Sequence, residues 1–425
     1  MDNRLFDIIV IGGGPAGLMA AIAAAQQGSS VCLVEKGKRL GKKLTISGGG
    51  RCNVTNRLPV EEIIAHLPGN GRFLYGAFAQ FNNEDIIRFF EERGVQLKEE
   101  DHGRMFPVDD RSTTILHTLE KELQRLNVQV IMNDPVVKIS YSPIPFELEL
   151  SSSQFIRSKS IIVAVGGKAV PETGSTGDGY AWAQAVGHTI TPLFPTEVPI
   201  VSRSTIIEGR ELQGLSLRNV ALTVYSHKRK RIITHRGDMI FTHFGLSGPA
   251  ALRCSQFVVK ELAKVPGEPI QMEIDLYPDH TGPQLMEEIT QNLAEEGKRS
   301  IRNLLKPYIP ERMINPILDL AQIQPDLTGN SLQQKAWQEL VHLLKHFPMT
   351  VHGTLPLEKA FVTGGGVSIK EIDPKTMGSR LLPGLYFAGE ILDIHGYTGG
   401  YNITAALVTG YVSGIHAAQW VQGDN

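Results

Sequence analysis

Four residues near the start of the chain have the types and spacing to hold a dinucleotide: Gly12, Gly14 and Gly17, in a G-x-G-x-x-G array, and Glu35. Gly12 lets the chain turn tightly, Gly14 removes a Cβ so that backbone can approach a pyrophosphate, and Gly17 lets helix and strand pack closely. An acidic side chain about twenty residues further on accepts hydrogen bonds from ribose hydroxyls. The elements that must position these residues are readable around them. Ile8 to Ile11 is a short apolar run rich in β-branched residues, Leu18, Ala21, Ile22 and Ala25 recur at helical period, and Val31 to Val34 makes a second strand ending in Glu35. A helix beginning at Pro15 and Ala16 would present free N–H groups and the positive end of its dipole to the phosphates. A glycine turn in an ordinary α/β protein would leave Glu35 without a task.

Other glycine-rich stretches repeat the device. Past Glu35 lies a basic loop with Lys36, Lys38, Arg39, Lys42 and Lys43, then Ser47-Gly48-Gly49-Gly50-Arg51-Cys52-Asn53, whose glycines invite close backbone approach to a flat or anionic ligand. An apolar run from Ser160 to Val165 enters Gly166-Gly167. Gly174 to Gly179 then leads into a helix, Tyr180 to Val186, for which Thr176 or Asp178 is the expected N-cap. Near the end, Leu385 to Ala388 precedes Gly389-Glu390, and Gly399-Gly400-Tyr401-Asn402 opens a long helix from Ile403 to Trp420 that plausibly completes the same ligand site.

Composition bounds the rest. A chain of 425 residues implies two or three domains, and 42 basic against 44 acidic residues give a net charge of −2, with no global attraction to nucleic acid or an anionic membrane. Cys32, Cys52 and Cys254 lie far apart with no C-x-x-C pair, which argues for a reducing compartment and against a structural metal or dithiol centre. The apolar window from Leu5 to Ala25 contains Asp7 and a Gly-Gly-Gly-Pro break, so it reads as strand and helix rather than a membrane span. A cytoplasmic, soluble protein is expected.

Residues 60–127 read as mostly helical, interrupted by Asp101 to Pro107; Val128 to Ile139 reads as one strand, and Phe146 to Leu150 with Phe155 as a hairpin. From Pro195 short strands follow at Glu197 to Ser202, Arg218 to Tyr225, Arg231 to His235, Met239 to Thr242 and Ile270 to Leu276, with a helix near Pro249 to Ala263. The basic run His227 to Arg231 reads as a solvated hairpin turn, with an RNA-contacting patch as its alternative. Thr281 to Phe347 is helical in pattern, with Pro307, Pro310, Pro316 and Pro325 breaking it into short helices, and Met349 to Leu355 reads as one more strand. The expected organisation is an α/β cofactor domain from 1–194 and 357–425, interrupted by a β domain at 195–278 and 348–356, itself interrupted by a helical insert at 279–347.

Taken together, Gly12 to Gly17 with Glu35, SGGGRCN at 47–53, HGRMFP at 102–107, FTHFGLSGPA at 241–250, TGGGV at 363–367 and GLYFAGEILDIHGYTGGYN at 384–402 resemble the bacterial NAD(P)/FAD-dependent oxidoreductases of aminoacetone-oxidase type, a group that includes bile-acid-reducing flavin enzymes. The resemblance implies a glutathione-reductase-type, Rossmann-like FAD domain with an inserted β-barrel-like domain and a small helical insert. It also implies that Ser47, Gly48, Arg51, Cys52 and Asn53 line the pyrophosphate and flavin, that Val137 meets the adenine through its backbone, and that Asn402 and Ile403 present N–H groups to the pyrimidine edge. Gly389-Glu390 stands where related flavoproteins carry Gly-Asp against the ribityl chain. Pro15, Ala16, Lys36, Lys43, Gly49, Ala164, Gly166 and Gly400 complete the expected cofactor-binding set.

The expected function is that of an FAD-dependent oxidoreductase acting on a small molecule, with the flavin carrying the redox chemistry and being either reduced by NADH or NADPH or reoxidised by an external acceptor. His243, His352 and Tyr397 are candidates to donate protons or orient substrate, each with an ordinary structural reading beside it. Cys52, without a partner thiol, reads as packing. An FAD-dependent RNA-modifying enzyme using the 227–231 run, disfavoured by the neutral charge, and a flavin-binding protein without turnover are the alternatives.

Overall fold

β1 (Leu5–Ile11) carries Ile8, Ile9 and Val10 at no measurable exposure, as a strand covered on both faces must. It pairs in parallel with β2 (Val31–Glu35) on one side and with β9 (Phe155–Val163) on the other. These strands belong to the first of two compact units seen in the computed structural model, which describes residues 5–141 and 144–423. The first unit joins the chain up to Phe194 with the chain from Phe361 onward; the second is Pro195–Ala360.

In the first unit, β3 (Thr55–Asn56), β4 (Leu97–Glu100) and β5 (Arg104–Pro107) form a small antiparallel sheet, so the segment expected only to interrupt helices is itself a strand. Val128 to Ile139 is two strands rather than one, β6 (Gln129–Met132) and β7 (Val136–Ser140). Asn133 at φ 58° and the following Asp134-Pro135 turn the chain between them. The main sheet runs β6, β2, β1, β9, then β8 (Phe146–Leu150) and β7. Residues 155–158 of β9 pair antiparallel with β8, while residues 161–163 pair in parallel with the strand Leu385–Phe387. The parallel strands therefore end on one edge of the sheet, the edge where open α/β sheets bind ligands.

Helix α1 (Pro15–Gln26) and the closing helix Tyr401–Gln422 pack side by side in this unit. A Cβ on Gly410 would lie 2.2 Å from the Ala16 carbonyl oxygen, and one on Gly414 would lie 2.3 Å from that of Ala20. Both contacts advance in the same direction, so the helices run parallel. Ala16 is one residue into its helix and Gly410 nine residues into its own, which sets the two starts about 12 Å apart along the axis at 1.5 Å per residue.

The second unit is built on a seven-stranded sheet in the order Phe347–Val351, Ile270–Asp275, Ser216–Tyr225, Arg231–Phe241, Gly245–Ser247, Ile200–Val201, Gly353–Thr354. Its two outermost strands are separated in sequence by His352 alone, so the sheet must curl until its ends meet, as in a barrel. The two strands expected at Arg231 to His235 and Met239 to Thr242 are one continuous strand. One hydrophobic core joins strand residues such as Leu222, Met272 and Met349 to helix residues such as Ile289, Ile317 and Leu344. The helical stretch thus shares its core with the sheet. Pro316 does not break a helix: it lies inside Glu311–Leu320, where buried Met313, Ile314, Ile317 and Leu318 hold the turn despite the missing N–H.

Candidate dinucleotide site

Gly12 and Gly14 lie in the turn between β1 and α1 and Gly17 in the first turn of α1, and their surroundings differ. A Cβ on Gly12 would lie 2.5 Å from the Ala164 carbonyl oxygen, and one on Gly17 would lie 1.8 Å from the carbonyl oxygen of Gly12; one on Gly14 would meet nothing within 4 Å. Two of the glycines are demanded by protein packing, and the third borders open space. Pro15 takes the first helical position, where its missing N–H costs nothing, and the first intrahelical bond runs from the Leu18 N–H to the Gly14 carbonyl. The N–H groups of Ala16 and Gly17 therefore have no acceptor within the helix.

Glu35, at the end of β2, accepts from the Gly13 N–H at 2.7 Å and from the Gly37 N–H at 2.6 Å, which ties the glycine turn to the following loop. Lys36 bonds the Asp178 carboxylate at 2.5 Å and the Thr176 hydroxyl. These partners explain a correction: neither Thr176 nor Asp178 caps the helix Asp178–Ala185, whose N-cap is Gly177 at φ 85°. Ala164 follows β9 and donates its N–H to the Ile11 carbonyl, and Gly166 follows at φ 73°.

The segment Ser47–Gly50 is a short turn with Gly48, Gly49 and Gly50 at φ 57°, 69° and 88°. Successive left-handed residues line up N–H groups that can face an anion. Positions Gly49 and Gly50, like Gly14, border space in which a Cβ would meet nothing. The Ser47 hydroxyl donates to the Leu44 carbonyl at 2.7 Å. Arg51 stacks on Phe106 at 4.2 Å and bonds Glu100 at 2.7 Å and Asp110 at 3.4 Å. The Glu100 carboxylate, more than Asp110, holds the guanidinium pKa above its ordinary value. Cys52 is fully buried, and burial pushes its thiol up to about 12. Asn53 is 7% exposed, and its side-chain Oδ1 is buried without a hydrogen-bond partner. Such an orphan costs about 1 to 3 kcal/mol, which a ligand donor would recover.

Gly389 and Glu390 reach the same region. The Gly389 N–H donates to Thr409 Oγ1 on the closing helix at 2.9 Å, and a Cβ on Gly389 would lie 2.8 Å from that of Ala16. Glu390 pairs with Lys43 at 2.7 Å and accepts from the Thr363 N–H at 2.8 Å. Val137 falls where the β7–β8 ladder skips a residue, which leaves its backbone out of that pairing.

Gly400 is the N-cap of the closing helix, at φ 93°, and its Cβ position lies 2.8 Å from the Thr55 carbonyl oxygen and 2.9 Å from Asn53 Oδ1. It is therefore a glycine because backbone and Asn53 crowd it, and not only to admit a ligand. Helical bonding starts from the Thr404 N–H, so the N–H groups of Asn402 and Ile403 have no acceptor within the helix. The Asn402 side chain accepts from the Gly396 N–H at 2.8 Å and donates to the carbonyls of Gly396 and Tyr397 at 2.9 and 3.1 Å. This clamp has no local sequence signal.

Among the catalytic candidates, Tyr397 lies in that clamped loop and is 7% exposed. His243 and His352 belong to the second unit. His243 is exposed in the turn between Phe241 and Gly245, edge-on to Phe244, and His352 accepts from the Arg203 N–H at Nδ1, 3.1 Å. His66, which the sequence did not single out, stacks on Tyr401 at 4.6 Å, at the first turn of the closing helix.

A parallel sheet with two helix starts, an acid and open glycine turns at one edge defines an FAD-binding Rossmann protein, and the residues present fit the cofactor: the cradle at Gly14 is open and Asn53 Oδ1 awaits a donor. The profile of the HI0933-like protein Rossmann domain matches residues 6–416, and the chain belongs to that family, which is related to flavin oxidoreductases. It is 32% identical over 409 residues to a ribosomal RNA dihydrouridine synthase of Haemophilus influenzae, covering 95% of this chain and 96% of the relative. It is 29% identical over 412 residues to a 3-dehydro-bile acid delta(4,6)-reductase of Clostridium scindens, covering 96% and 98%. Among solved structures, 3-ketosteroid delta1-dehydrogenase of Sterolibacterium denitrificans superposes with a TM-score of 0.52 at 14% identity, over 98% of this chain and 100% of that one, a likeness of fold. Among the described residues no helix is long and apolar enough to cross a membrane.

Proposed function

We propose that the protein is an FAD-dependent reductase of a carbon–carbon double bond conjugated to a carbonyl, with NADH or NADPH as the source of electrons. The two full-length relatives support this reading through what their activities share. Making dihydrouridine saturates the uracil bond next to a carbonyl, and a delta(4,6)-reductase acting on a 3-dehydro bile acid saturates bonds conjugated to its ketone. The resemblance to aminoacetone-oxidase-type members names no common substrate of this kind.

The observation that carries the reading is the pair of parallel helix starts, about 12 Å apart on one side of the sheet. Ala16 and Gly17 hold the pyrophosphate on their N–H groups, Glu35 accepts from the ribose, and the Ser47–Asn53 turn borders the linking chain. The N–H groups of Asn402 and Ile403 face the pyrimidine edge, where a helix N-terminus stabilises developing negative charge. Bound FAD supplies hydride transfer from the nicotinamide to the substrate. Cys52, fully buried and without a partner thiol, is read as packing.

A uracil ring in RNA is the second reading of the substrate. Lys228, Arg229, Lys230 and Arg231 are exposed on the hairpin that the Ser226 N–H to Lys230 carbonyl bond closes, where a phosphate backbone could reach them. The test is anaerobic reduction of the FAD-loaded protein by each nicotinamide, followed by mixing with a 3-oxo-4-ene steroid or with unmodified ribosomal RNA. Reoxidation by the steroid alone supports a small-molecule enzyme, and by RNA alone, with salt-dependent binding, the RNA reading. A reduced cofactor that neither one reoxidises contradicts the proposal.

A further inference from the structure

Saturating a conjugated double bond needs a proton for the carbon beside the carbonyl, and within the first unit His66 stands at the closing helix with one ring nitrogen open. Its ring Nδ1 lies 2.7 Å from the Glu62 carbonyl oxygen. A carbonyl only accepts, so Nδ1 carries the proton, and in the neutral ring Nε2 is left bare. Nε2 has no hydrogen-bond partner among the described residues and is not among the buried, unpartnered atoms.

The ring is also held in place. It lies 4.6 Å from Tyr401 with the planes 13° apart, and edge-on to Tyr397 at 6.3 Å. The His66 carbonyl accepts from the Tyr397 N–H at 3.0 Å, and Gly69 exchanges two backbone bonds with His395. Asn402, on the helix itself, grips the same loop through Gly396 and Tyr397. The imidazole is thereby fixed to the helix start that carries the unpaired N–H groups, with one tautomer set by a backbone carbonyl and the other nitrogen open.

We infer that His66 is the proton donor of the reaction, an assignment that rests on the reading above. The protonated ring gives up the Nε2 proton: the N–H bond breaks, a C–H bond forms at the carbon next to the carbonyl, and the imidazole returns to its neutral Nδ1–H form. The other carbon receives the hydride through the bound flavin, at the expense of the nicotinamide. Throughout, Nδ1–H stays on Glu62, so the ring does not have to turn.

His66→Asn keeps an amide donor for Glu62 and removes the acidic ring N–H that the step transfers. In the ligand-free wild type, nitrogen NMR of the histidines is expected to show Nδ1 protonated in the neutral His66 ring, and a proton on Nε2 instead would overturn the assignment. In the FAD-loaded variant, flavin content, reduction by nicotinamide and reoxidation by ferricyanide, which takes electrons alone, are expected to match wild type. Reoxidation by whichever conjugated substrate serves the wild type is expected to slow at least a hundredfold. Equal slowing in every half-reaction, or none with the conjugated substrate, would overturn the role of His66. A wild type that no conjugated substrate reoxidises would instead bring down the functional reading itself.

Discussion

Two helices of the first unit, α1 and the closing helix, start from a glycine, and comparing them separates what the fold requires from what a ligand requires. Gly14 has φ −79°, which any residue adopts, and empty space where a side chain would stand. Gly400 has φ 93° and a Cβ position 2.8 Å from a backbone oxygen. One position is a glycine with no demand from its own protein, the other with every demand from it. The difference teaches that a glycine in a binding motif has two separable meanings, and that only local geometry tells them apart.

Substitution sharpens the comparison, taken here from the largest expected loss of stability to the smallest. Gly400→Val adds strain of about 1 to 3 kcal/mol for the backbone and about 1 to 3 more for the crowding. Thermal unfolding of the first unit is therefore expected to shift down by at least about 5 °C, before any question of cofactor arises. An unshifted melt would mean that Thr55 and Asn53 yield, and the two glycines would then be alike. Asn402→Ala removes three hydrogen bonds to the 396–397 loop. At roughly 0.5 to 1.5 kcal/mol each, this should cost about 2 kcal/mol in denaturant unfolding while leaving the helix N–H groups in place. A flavin content that collapses with no change in stability would show that the side chain itself touches the ligand. Cys52→Ser should cost about 1 to 2 kcal/mol by burying a hydroxyl and leave turnover within tenfold. A hundredfold loss with flavin bound, about 2.7 kcal/mol in barrier, would make Cys52 part of the chemistry.

What the sequence disclosed about these regions follows the range of the interactions. The strand–turn–helix–strand unit up to Glu35 was readable because each element shows its own period and punctuation within a few residues. The fate of Arg51 was not, because Glu100 and Asp110 lie 49 and 59 positions away. The cap of Asp178–Ala185 follows the same rule: Lys36, 140 and 142 positions distant, claims the side chains that local rules assign to capping. His66 was invisible as a candidate, since its tautomer is set locally by Glu62 but its importance comes from Tyr401, in a remote part of the chain. Val128 to Ile139 has the apolar character of one strand, but Asn133 and Pro135 break it into two.

The central claim is that open space at Gly14 belongs to the cofactor's phosphates, and Gly14→Val tests it most directly. The Cβ it adds meets no protein atom within 4 Å and the backbone there is ordinary, so the apoprotein is expected to melt within about 2 °C of wild type, a change of under about 1 kcal/mol. The measurement is FAD content by absorbance on the purified, folded variant. The account predicts a colourless protein that fails to take up added FAD. A folded variant with full, wild-type flavin content would contradict it and place the dinucleotide elsewhere.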